Sequence, residues 1–566
     1  RYGHDPDDIK FRFPRQTVVY VSPHDSRVIY QASHVLHRST DEGISWDIIS
    51  PDLTAHEEQY QIVSGNPITR DVTGEEVYST IYSMTESRLE RGVLWVGAND
   101  GPVSVSRDNG KSWKNVTPAG LVGARIQTVE DSPHARGRAY IAGYRFMREH
   151  DLKPYIYRTD NYGESWTLLT DGTNGIPIDH PTRVVREDPK QAGLLYAGTE
   201  FGFFVSFNGG KNWQSLQQNL PATPVTDIRV HRNDLVISTM GRSAYIMDNI
   251  TPLQQLAAFA AGAPAAGGGH DGGVAEQAAA TRGALPAVTV FQPREVVRLR
   301  NSAAPASADE PEYPSTGAQF DLYFASAPGA DTTLQVLDSR GATLKTYRVI
   351  APRSAGAAPE ARSPFFRGGG SSPGIRPEAG MQRLTWDLSF PGPWTPANPD
   401  GGPGGPMVPP GTYSVKLTSG GQTVTRTFDL RSDPRVAADG VSDGDIAEQV
   451  KFQLQVRDAI SEARKVQQEI EQAMAKAGLK PGLEPGMPGE SPGTATYDHP
   501  LRELYAKVVN TPGIYTQGML VAQLGNIQRM ITQADQKIGK DAYDRYADLM
   551  KELASVEAQL KKLAGS

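Results

Sequence analysis

One octet recurs four times in the first half of the sequence, and each copy ends in tryptophan. The copies are STDEGISW (39–46), SRDNGKSW (106–113), TDNYGESW (159–166) and SFNGGKNW (206–213). All four fit the pattern Ser/Thr-x-Asp/Asn-x-Gly-x-x-Trp, and they hold four of the seven tryptophans of the chain. A pattern that returns at intervals of tens of residues indicates a repeated supersecondary unit.

The octet has the composition of a tight turn that is anchored by an aromatic ring. Its Asp or Asn can accept hydrogen bonds from the backbone of the same turn, and its glycine can adopt a positive φ. The tryptophan anchors the turn by burying about 150 to 250 Å² of ring surface. Because two copies carry Asn, which does not replace a carboxylate in catalysis, we predict a structural role. The residues concerned are Asp41, Gly43, Trp46, Asp108, Gly110, Trp113, Asn161, Gly163, Trp166, Asn208, Gly210 and Trp213.

The sequence around the octets predicts a mainly β protein with several domains. Short β-branched and aromatic runs such as RVIYQAS, VLWVGA and LLYAGT alternate with turn residues, which is typical of antiparallel strands in a propeller. We predict β-propeller blades over 1–256, an Ala/Gly-rich linker over 257–285, an immunoglobulin-like β-sandwich with Pro/Gly-rich loops over 286–436, and an antiparallel α-helical bundle over 442–566.

The last segment changes to a helical period. Ser442 and Asp443 are candidate N-caps of a helix that reaches Gly478, and a further helix is expected near 513–538. The final helix carries an a/d seam, which requires a partner helix. The seam is Ala542, Tyr546, Leu549, Leu553, Val556, Leu560 and Leu563. The seam is expected to pack within the chain, with self-association or docking of another chain as the alternative.

The octets resemble the Asp boxes, or BNR repeats, of sialidases and sortilin-type receptors. Longer phrases, among them DLKPYIYRTDNYGESW and STMGRSAYIMDNITPLQQL, resemble bacterial sortilin-like proteins that are often labelled glycosyl hydrolases. The likeness covers residues 1 to about 256. It implies propeller blades in which the box joins the third and fourth strands.

The resemblance also implies a missing partner. Sortilin-type rings have ten blades, whereas 1–252 has room for about five or six, given roughly 40 to 50 residues per blade. We therefore predict that an N-terminal chain of the same precursor completes the propeller.

Composition excludes several classes of function. The net charge is −7 and the chain has no cysteine, so it lacks the basic field that nucleic-acid binding requires and has no thiol chemistry or disulfides. No apolar run is long enough for a membrane span. The histidines lack ligand spacing and no phosphate-cradling loop is present, so we predict no metal site and no cofactor.

Few residues suggest catalysis. Arg12 in FRFP resembles a substrate-binding arginine of sialidases, but the segment is predicted to be an alternating strand that opens a blade. Asp100 and Glu200 lie in near-equivalent turns, ANDG and GTEFG, and are the weak candidates for a glycosidase pair, with Asp227 as a further carboxylate. Because repeated turn residues are usually structural, no catalytic residue is assigned.

Two functions follow from the resemblance. The first is a noncatalytic, exported propeller that binds a protein or peptide and acts as an assembly scaffold, located in the periplasm, at the cell surface or outside the cell. The alternative is a sialidase-like or xyloglucanase-like glycoside hydrolase that acts on polysaccharide in the propeller groove.

Overall fold

The computed structural model describes residues 8–63, 65, 68–69, 77–261, 285–300, 316–351, 373–480, 497, 499–510 and 518–564. The chain divides into two compact units, Arg1–Ala284 and Leu285–Ser566. Their boundary lies at the end of the predicted linker. The finer division of the chain into four segments stays a prediction.

The described residues of the first unit form five antiparallel sheets in chain order, each built from consecutive strands. Sheet 1 comprises β1 (Val19–Val21), β2 (Ile29–Ala32), β3 (Leu36–Ser39) and β4 (Asp47–Ile48). Sheet 2 comprises β5 (Ile81–Glu86), β6 (Leu94–Ala98), β7 (Val103–Ser106) and β8 (Lys114–Asn115). Sheet 3 comprises β9 (Arg125–Asp131), β10 (Ala139–Arg145), β11 (Asp151–Thr159) and β12 (Thr167–Leu168), with helix α1 (Phe146–Glu149) between β10 and β11. Sheet 4 comprises β13 (Thr182–Glu187), β14 (Leu195–Thr199), β15 (Phe203–Ser206) and β16 (Gln214–Ser215). Sheet 5 comprises β17 (Val225–His231), β18 (Asp234–Thr239) and β19 (Ala244–Met247), and helix α2 (Thr251–Ala261) follows it.

Consecutive sheets pack face to face through apolar side chains. One cluster joins Tyr30 and Leu36 of sheet 1 to Met84 and Leu94 of sheet 2. Similar clusters join sheets 2 and 3, 3 and 4, and 4 and 5. Four-stranded meanders that stack in sequence are the blades of a β-propeller, so the predicted mainly β propeller architecture is confirmed and the sheets are called blades 1 to 5 below.

Three of the four octet tryptophans connect neighbouring blades. The indole Nε1 of Trp113 in blade 2 donates a hydrogen bond to the carbonyl of Ile49, just beyond the outer strand of blade 1, at 2.9 Å. Trp166 does the same to Val116 at 2.6 Å, and Trp213 to Leu169 at 3.0 Å. Each of these octets therefore attaches its blade to the one before.

The octet glycines permit this close approach. Gly110 has a φ of +87°, and a Cβ there would lie 2.9 Å from the Ile49 carbonyl oxygen. A Cβ on Gly163 would lie 2.6 Å from Val116, and one on Gly210 would lie 2.7 Å from Leu169. These glycines are thus required both by the backbone conformation and by contact with the preceding blade.

Two expectations for the first unit need correction. The segment around Arg12 is not a strand: its backbone N–H donates to Nδ1 of His34 at 3.3 Å instead of to a neighbouring strand. The predicted linker begins inside α2, since the helix continues to residue 261 and Ala257 is buried. Residues 262–284 lie outside the described part of the chain.

The second unit begins with eight described strands in two sheets. In chain order they are β20 (Val288–Val290), β21 (Val296–Arg298), β22 (Ala318–Phe324), β23 (Thr333–Leu337), β24 (Thr343–Arg348), β25 (Gly380–Trp386), β26 (Gly411–Ser419) and β27 (Gln422–Ser432). One sheet has the order β20-β22-β25 and the other β21-β27-β26-β23-β24, with β21 parallel to β27. The sheets share one core, in which the rings of Phe320 and Phe428 meet edge to face at 5.4 Å. This is a two-sheet arrangement, and the immunoglobulin-like topology stays a prediction.

Five helices complete the second unit. They are α3 (Pro434–Ala438), α4 (Asp443–Lys476), α5 (Pro500–Val508), α6 (Leu520–Thr532) and α7 (Lys540–Ala564). The predicted cap is present, because Ser442 Oγ accepts from the N–H of Asp445 at 3.1 Å and the Asp445 carboxylate accepts from the N–H of Ser442 at 2.9 Å. The final seam lies in a core shared with α4, α5 and α6. The antiparallel order of these helices stays a prediction.

The helix predicted near 513–538 is shorter in the structure, where α6 covers Leu520–Thr532 and 511–517 lie outside the described residues. Helix α5 was not predicted, because its nine residues are too few to establish a period.

A buried charge connects the sheets of this unit to the loop between α6 and α7. The Arg298 side chain is fully buried and forms an ion pair with Asp535, which also pairs with Arg300. The Arg298 Nε atom donates to the carbonyl of Val408 at 2.9 Å. Desolvation of such a pair is costly unless its hydrogen bonds are satisfied, as they largely are here.

The tryptophan contacts predict different costs for the same substitution in two blades. Trp213→Ala removes a buried ring and its inter-blade hydrogen bond, so the free energy of unfolding of the first unit should fall by about 3 to 5 kcal/mol. Trp46→Ala is the matched control, because Trp46 holds the same octet position but is 40% exposed. It should cost less than about 1 kcal/mol. Urea denaturation followed by far-UV circular dichroism measures both values, and equal losses would contradict the docking role of the ring.

Candidate functional site

The octets fold as tight turns that hydrogen-bond to themselves. In blade 1 the Asp41 carboxylate accepts from the backbone N–H of Ser45 at 2.9 Å and from its hydroxyl at 2.7 Å. The hydroxyl of Ser39 accepts from the N–H of Gly43 at 2.8 Å. Blade 2 repeats these bonds through Asp108, which accepts from the Ser112 N–H at 2.9 Å.

The two Asn octets form the same turn. Asn161 Oδ1 accepts from the N–H of Ser165 at 3.0 Å, and Asn208 Oδ1 accepts from the N–H of Asn212 at 3.0 Å. An amide oxygen therefore replaces the carboxylate oxygen in the bond that closes the turn. This equivalence supports the structural role predicted for the octets.

The hydrogen bonds stabilise the ionised form of the two Asp residues. Bonds from the backbone and hydroxyl of Ser45 lower the pKa of Asp41 to about 2, and bonds from Ser112 lower the pKa of Asp108 to about 2. Both values lie below the usual 3.8. The stability that these groups contribute is therefore fully present above about pH 4 and is lost as the pH falls from about 4 towards 2.

Replacing both carboxylates by amides should remove this pH dependence. The double variant Asp41→Asn, Asp108→Asn should melt near the wild-type temperature at pH 7, since Asn forms the same turn in blades 3 and 4. Between pH 4 and 2 its melting temperature should fall less steeply than that of the wild type. Differential scanning calorimetry over this range gives the comparison, and parallel acid slopes for both proteins would contradict the assignment.

Asp100 is buried in the turn between β6 and β7 of blade 2. Its side chain is 2% exposed, and Oδ2 accepts from the backbone N–H groups of Ala55 at 3.0 Å and His56 at 3.2 Å. Burial raises the pKa of this carboxyl. Asp100 therefore attaches the 55–56 loop to the blade and is shielded from solvent.

Glu200 lies in the corresponding turn of blade 4 but at a different position. Its N–H donates to the Pro181 carbonyl at 2.9 Å, as the N–H of Asn99 does to the carbonyl of Thr80. Asn99, not Asp100, is thus the residue equivalent to Glu200, because the turn in blade 2 is one residue longer. The Glu200 carboxylate forms an ion pair with Arg183 at 2.6 Å.

The other residues considered for catalysis, Asp227 and Arg12, also have partners within the fold. Asp227 pairs with Arg186 at 2.7 Å; burial raises the pKa of Asp227, but Arg186 holds it below its usual value. The Arg12 guanidinium pairs with Asp52 at 2.6 Å and donates to the Ser79 carbonyl at 3.0 Å. Arg12 is itself buried. The structure therefore does not present Arg12 as a receptor for a substrate carboxylate.

A cavity of about 370 Å³ lies beside these turns, between blades 2 and 3. Its described lining is Tyr60, Tyr78, Asn99, Gly123, Arg125, Tyr144, Arg145, Met147 and Arg148. Arg125 begins β9, Tyr144 and Arg145 end β10, and Met147 and Arg148 belong to α1. The Gly101 turn closes against the loop before β9, since a Cβ on Gly101 would lie 2.7 Å from the Gly123 nitrogen.

The cavity combines arginines with tyrosine rings. The Arg148 guanidinium lies 4.3 Å from the ring centroid of Tyr60 and 5.3 Å from that of Tyr78, and it donates to the Tyr78 hydroxyl. Arg125 lies 5.0 Å from the ring of Tyr82. Burial raises the pKa of Tyr78 to about 12, so its hydroxyl is neutral and available for hydrogen bonding at physiological pH.

Two of the three arginines lack an ion pair among the described residues, although the Glu57 carboxylate acts on Arg148 from a longer distance. Arg145 pairs with Glu149 and lies 3.8 Å from Asp151. Within the part of the chain that the structure describes, neither Arg125 nor Arg148 has a carboxylate within ion-pair distance, and no Asp or Glu lines the cavity. Two guanidinium groups beside neutral tyrosines favour binding of a carboxylate or another anion.

This cavity was not predicted from the sequence. Its lining residues lie between positions 60 and 148 and share no spacing, and the β-propeller fold alone brings them together. One signal was available: blade 3 carries FMRE as a short helix between β10 and β11, where blades 2 and 4 have tight turns. This departure from the repeat places Met147 and Arg148 of α1 at the cavity.

A second cavity lies in the second unit, and its arginines are less available to a ligand. It measures about 650 Å³, and its lining includes Arg300, Arg464 and Arg529. Arg300 pairs with Asp535, Arg464 donates to the Trp394 carbonyl at 3.3 Å, and Arg529 donates to the amide oxygen of Asn526 at 2.6 Å. All three arginines therefore already have partners.

The described residues hold no group of three or more His, Asp or Glu side chains placed to bind a metal ion. Among the helices of the described ranges, none is long and apolar enough to cross a membrane.

Comparison with known proteins gives only partial matches. No family model and no curated protein matches the sequence. Among solved structures, 41% of this chain matches 36% of the GH74 xyloglucanase from Xanthomonas campestris, with 18% identity and a TM-score of 0.32. The match to the structure of YCF48 bound to D1 peptide covers 40% of this chain and 62% of that protein, with 14% identity and a TM-score of 0.26. The β-propeller domain of Cps50 (Swd1) from Myceliophteria thermophila matches over 42% of this chain and 67% of its own length, with 13% identity and a TM-score of 0.28.

These likenesses are partial and of low identity. The chain spans 36% of the xyloglucanase, about a third of its length. The assignment of β-propeller blades rests on the sheet topology of the first unit itself.

Proposed function

We propose that the protein is a noncatalytic, exported β-propeller of sortilin-like type that binds an acidic segment of a protein or peptide and acts as an assembly scaffold. The observation that carries this proposal is the tyrosine–arginine cavity, where Arg125 and Arg148 have no carboxylate partner among the described residues. The candidate catalytic carboxylates, in contrast, are bound to loop backbone or to arginine.

Charge and geometry support an anionic ligand. The whole chain has a net charge of −7, whereas two guanidinium groups without an ion pair among the described residues give the cavity a locally positive field. Guanidinium groups bind carboxylates through two parallel hydrogen bonds, and the surrounding tyrosine rings offer hydroxyl groups and apolar surface. A cavity of about 370 Å³ has room for one or two side chains of such a segment.

Selection from a phage-displayed library of random peptides tests the ligand class. Peptides enriched on the wild-type protein should contain more Asp and Glu than the starting library, because these side chains neutralise Arg125 and Arg148. Enriched peptides without this excess would contradict the proposal, and so would the absence of any enrichment.

The strongest selected peptide then tests the residue assignment. Arg125→Gln should weaken its binding by about 10- to 100-fold, as expected for the loss of a charge-assisted hydrogen bond. The control is Arg136→Gln, which removes an exposed arginine that does not line the cavity. Fluorescence anisotropy measures both affinities, with melting temperatures to confirm folding, and equal affinities in the two variants would place the ligand elsewhere.

Glycoside hydrolysis is the second candidate, and one observation favours it. Burial raises the pKa of Asp100, as a general acid requires. The structure speaks against a catalytic pair, because Asp100 is shielded and Glu200 is already paired with Arg183.

A panel of glycans and sialosides decides between the two functions. We expect no turnover by the wild type. Turnover that disappears in both Asp100→Asn and Glu200→Gln, while both variants keep the wild-type melting temperature, would establish the hydrolase instead.

A further inference from the structure

The cavity of the second unit lies between its helices and the loop that joins β25 to β26. It measures about 650 Å³. Helix α4 contributes Arg464 to its lining, and α6 contributes Gln528 and Arg529. The loop contributes Asn398, and Arg300 follows strand β21. Four segments that are distant in the sequence therefore converge on one space.

The loop wall of this cavity is held in place by its own backbone. The N–H of Phe390 donates to the carbonyl of Pro406 at 2.8 Å, and the N–H of Gly392 donates to that of Gly402 at 2.7 Å. A Cβ on Gly405 would collide with the carbonyl oxygen of Phe390, so the two branches of the loop approach as closely as only glycine permits. The wall is therefore formed before a ligand binds, which reduces the conformational freedom that binding would cost.

Positive charge exceeds negative charge around the cavity. Arg300 shares the carboxylate of Asp535 with the buried Arg298, so one negative charge serves two guanidinium groups. Over the described ranges, Arg464 and Arg529 have no carboxylate within ion-pair distance, and no Asp or Glu belongs to the cavity lining. Such a surplus of guanidinium groups in a concave site attracts an anion.

The partners of Arg464 and Arg529 hold these guanidinium groups without neutralising them. Arg464 Nη1 donates to the Trp394 carbonyl at 3.3 Å, and Arg529 Nη2 donates to the amide oxygen of Asn526 at 2.6 Å. Both acceptors are uncharged, and each bond uses one of the five N–H donors of a guanidinium. The remaining donors can therefore bind an oxyanion through paired hydrogen bonds.

Two amide side chains provide groups that suit a hydroxylated ligand. Among the residues described, no hydrogen bond is formed by the side-chain amide of Asn398 or of Gln528. An amide both donates and accepts, as a sugar hydroxyl does, so these side chains can bind hydroxyl groups. The described lining has no aromatic ring on which a nucleobase could stack. This combination favours a hydroxylated anion over a nucleotide.

We propose that this cavity binds an anionic sugar. Arg464 and Arg529 hold its carboxylate, phosphate or sulfate group, and Asn398 and Gln528 bind its hydroxyl groups. The volume of about 650 Å³ lies within the range of cavities that bind small molecules. A ligand in this position touches both the loop and the helices, so it stabilises the contact between them.

Isothermal titration calorimetry of the full chain tests the ligand class. The probes are glucuronate, galacturonate, and the 6-phosphates and 6-sulfates of glucose and galactose, which share a sugar frame and differ in the anion. Glucose, galactose and inorganic phosphate are the controls. We expect at least one anionic sugar to bind about 10-fold or more tightly than every control, because charge-assisted hydrogen bonds and hydroxyl contacts act together. The anion of the tightest probe identifies the source of the charge.

Three results of these titrations would overturn the proposal. The first is that none of the anionic sugars binds. The second is that a neutral sugar binds as tightly as the anionic ones, which would show that the arginines are not used. The third is that inorganic phosphate binds as tightly, which would show that the hydroxyl groups are not recognised.

A substitution on α4 tests the location of the site. Arg464→Gln should weaken binding of the tightest probe by about 10- to 100-fold. The matched control is Arg457→Gln on the same helix. Arg457 donates to the Pro391 carbonyl at 3.3 Å, as Arg464 does to that of Trp394, but it pairs with Asp458 and does not line the cavity. An unchanged affinity in Arg464→Gln, or an equal loss in both variants, would contradict the assignment.

Arg529→Gln gives a second test that does not depend on the packing of α4. Its side chain is exposed, so the substitution should leave the melting temperature unchanged while it weakens binding of the same probe. An unchanged affinity in this variant would also contradict the site. No residue lines both this cavity and the tyrosine–arginine cavity, so the outcome is independent of the proposed peptide binding.

Discussion

The first unit depends on one repeated hydrogen bond, from an indole Nε1 to a carbonyl of the preceding blade. A blade is a sheet with two faces. Each face requires a neighbouring blade to bury its apolar side chains. The octet places the tryptophan on a turn that its own Asp or Asn holds rigid. Because the hydrogen bonds of the turn restrict the position of the donor, less conformational freedom is lost when the junction forms.

Because this contact and the four-stranded blade are repeated, the blades that depart from the repeat stand out. Blades 2 and 4 have tight turns between their second and third strands, whereas blade 3 has α1 in that place. The inserted helix brings Arg148 to Tyr60 and Tyr78 and so creates the cavity proposed to bind an acidic segment. Blade 1 is the other exception, because the indole of its octet tryptophan, Trp46, donates within its own octet to the Gly43 carbonyl.

Burial separates structural from functional charge in this protein. Asp100, Glu200 and Arg12 appeared as candidates because their residue types suit catalysis, but Glu200 and Arg12 form ion pairs within the scaffold and Asp100 Oδ2 is bound to loop backbone. Arg298 and Asp535 are used in the same way in the second unit. Arg125 and Arg148 differ because they face a cavity and meet aromatic rings in place of carboxylates. Tertiary contacts decide the partner of a charge, so residue type alone does not show which arginine is paired and which faces a cavity.

The sequence by itself determined the parts of the fold that are local. The octets, the Ser442 cap and the alternating strands follow from hydrogen bonds and periodicity within a few residues, and these predicted the mainly β propeller and the start of α4. The tertiary structure decided which tryptophan docks and which is exposed, that residues near Arg12 form no strand, and that side chains from positions 60 to 148 share one cavity. These are relations between residues far apart in the chain, and the spacing within a single segment holds no information about them.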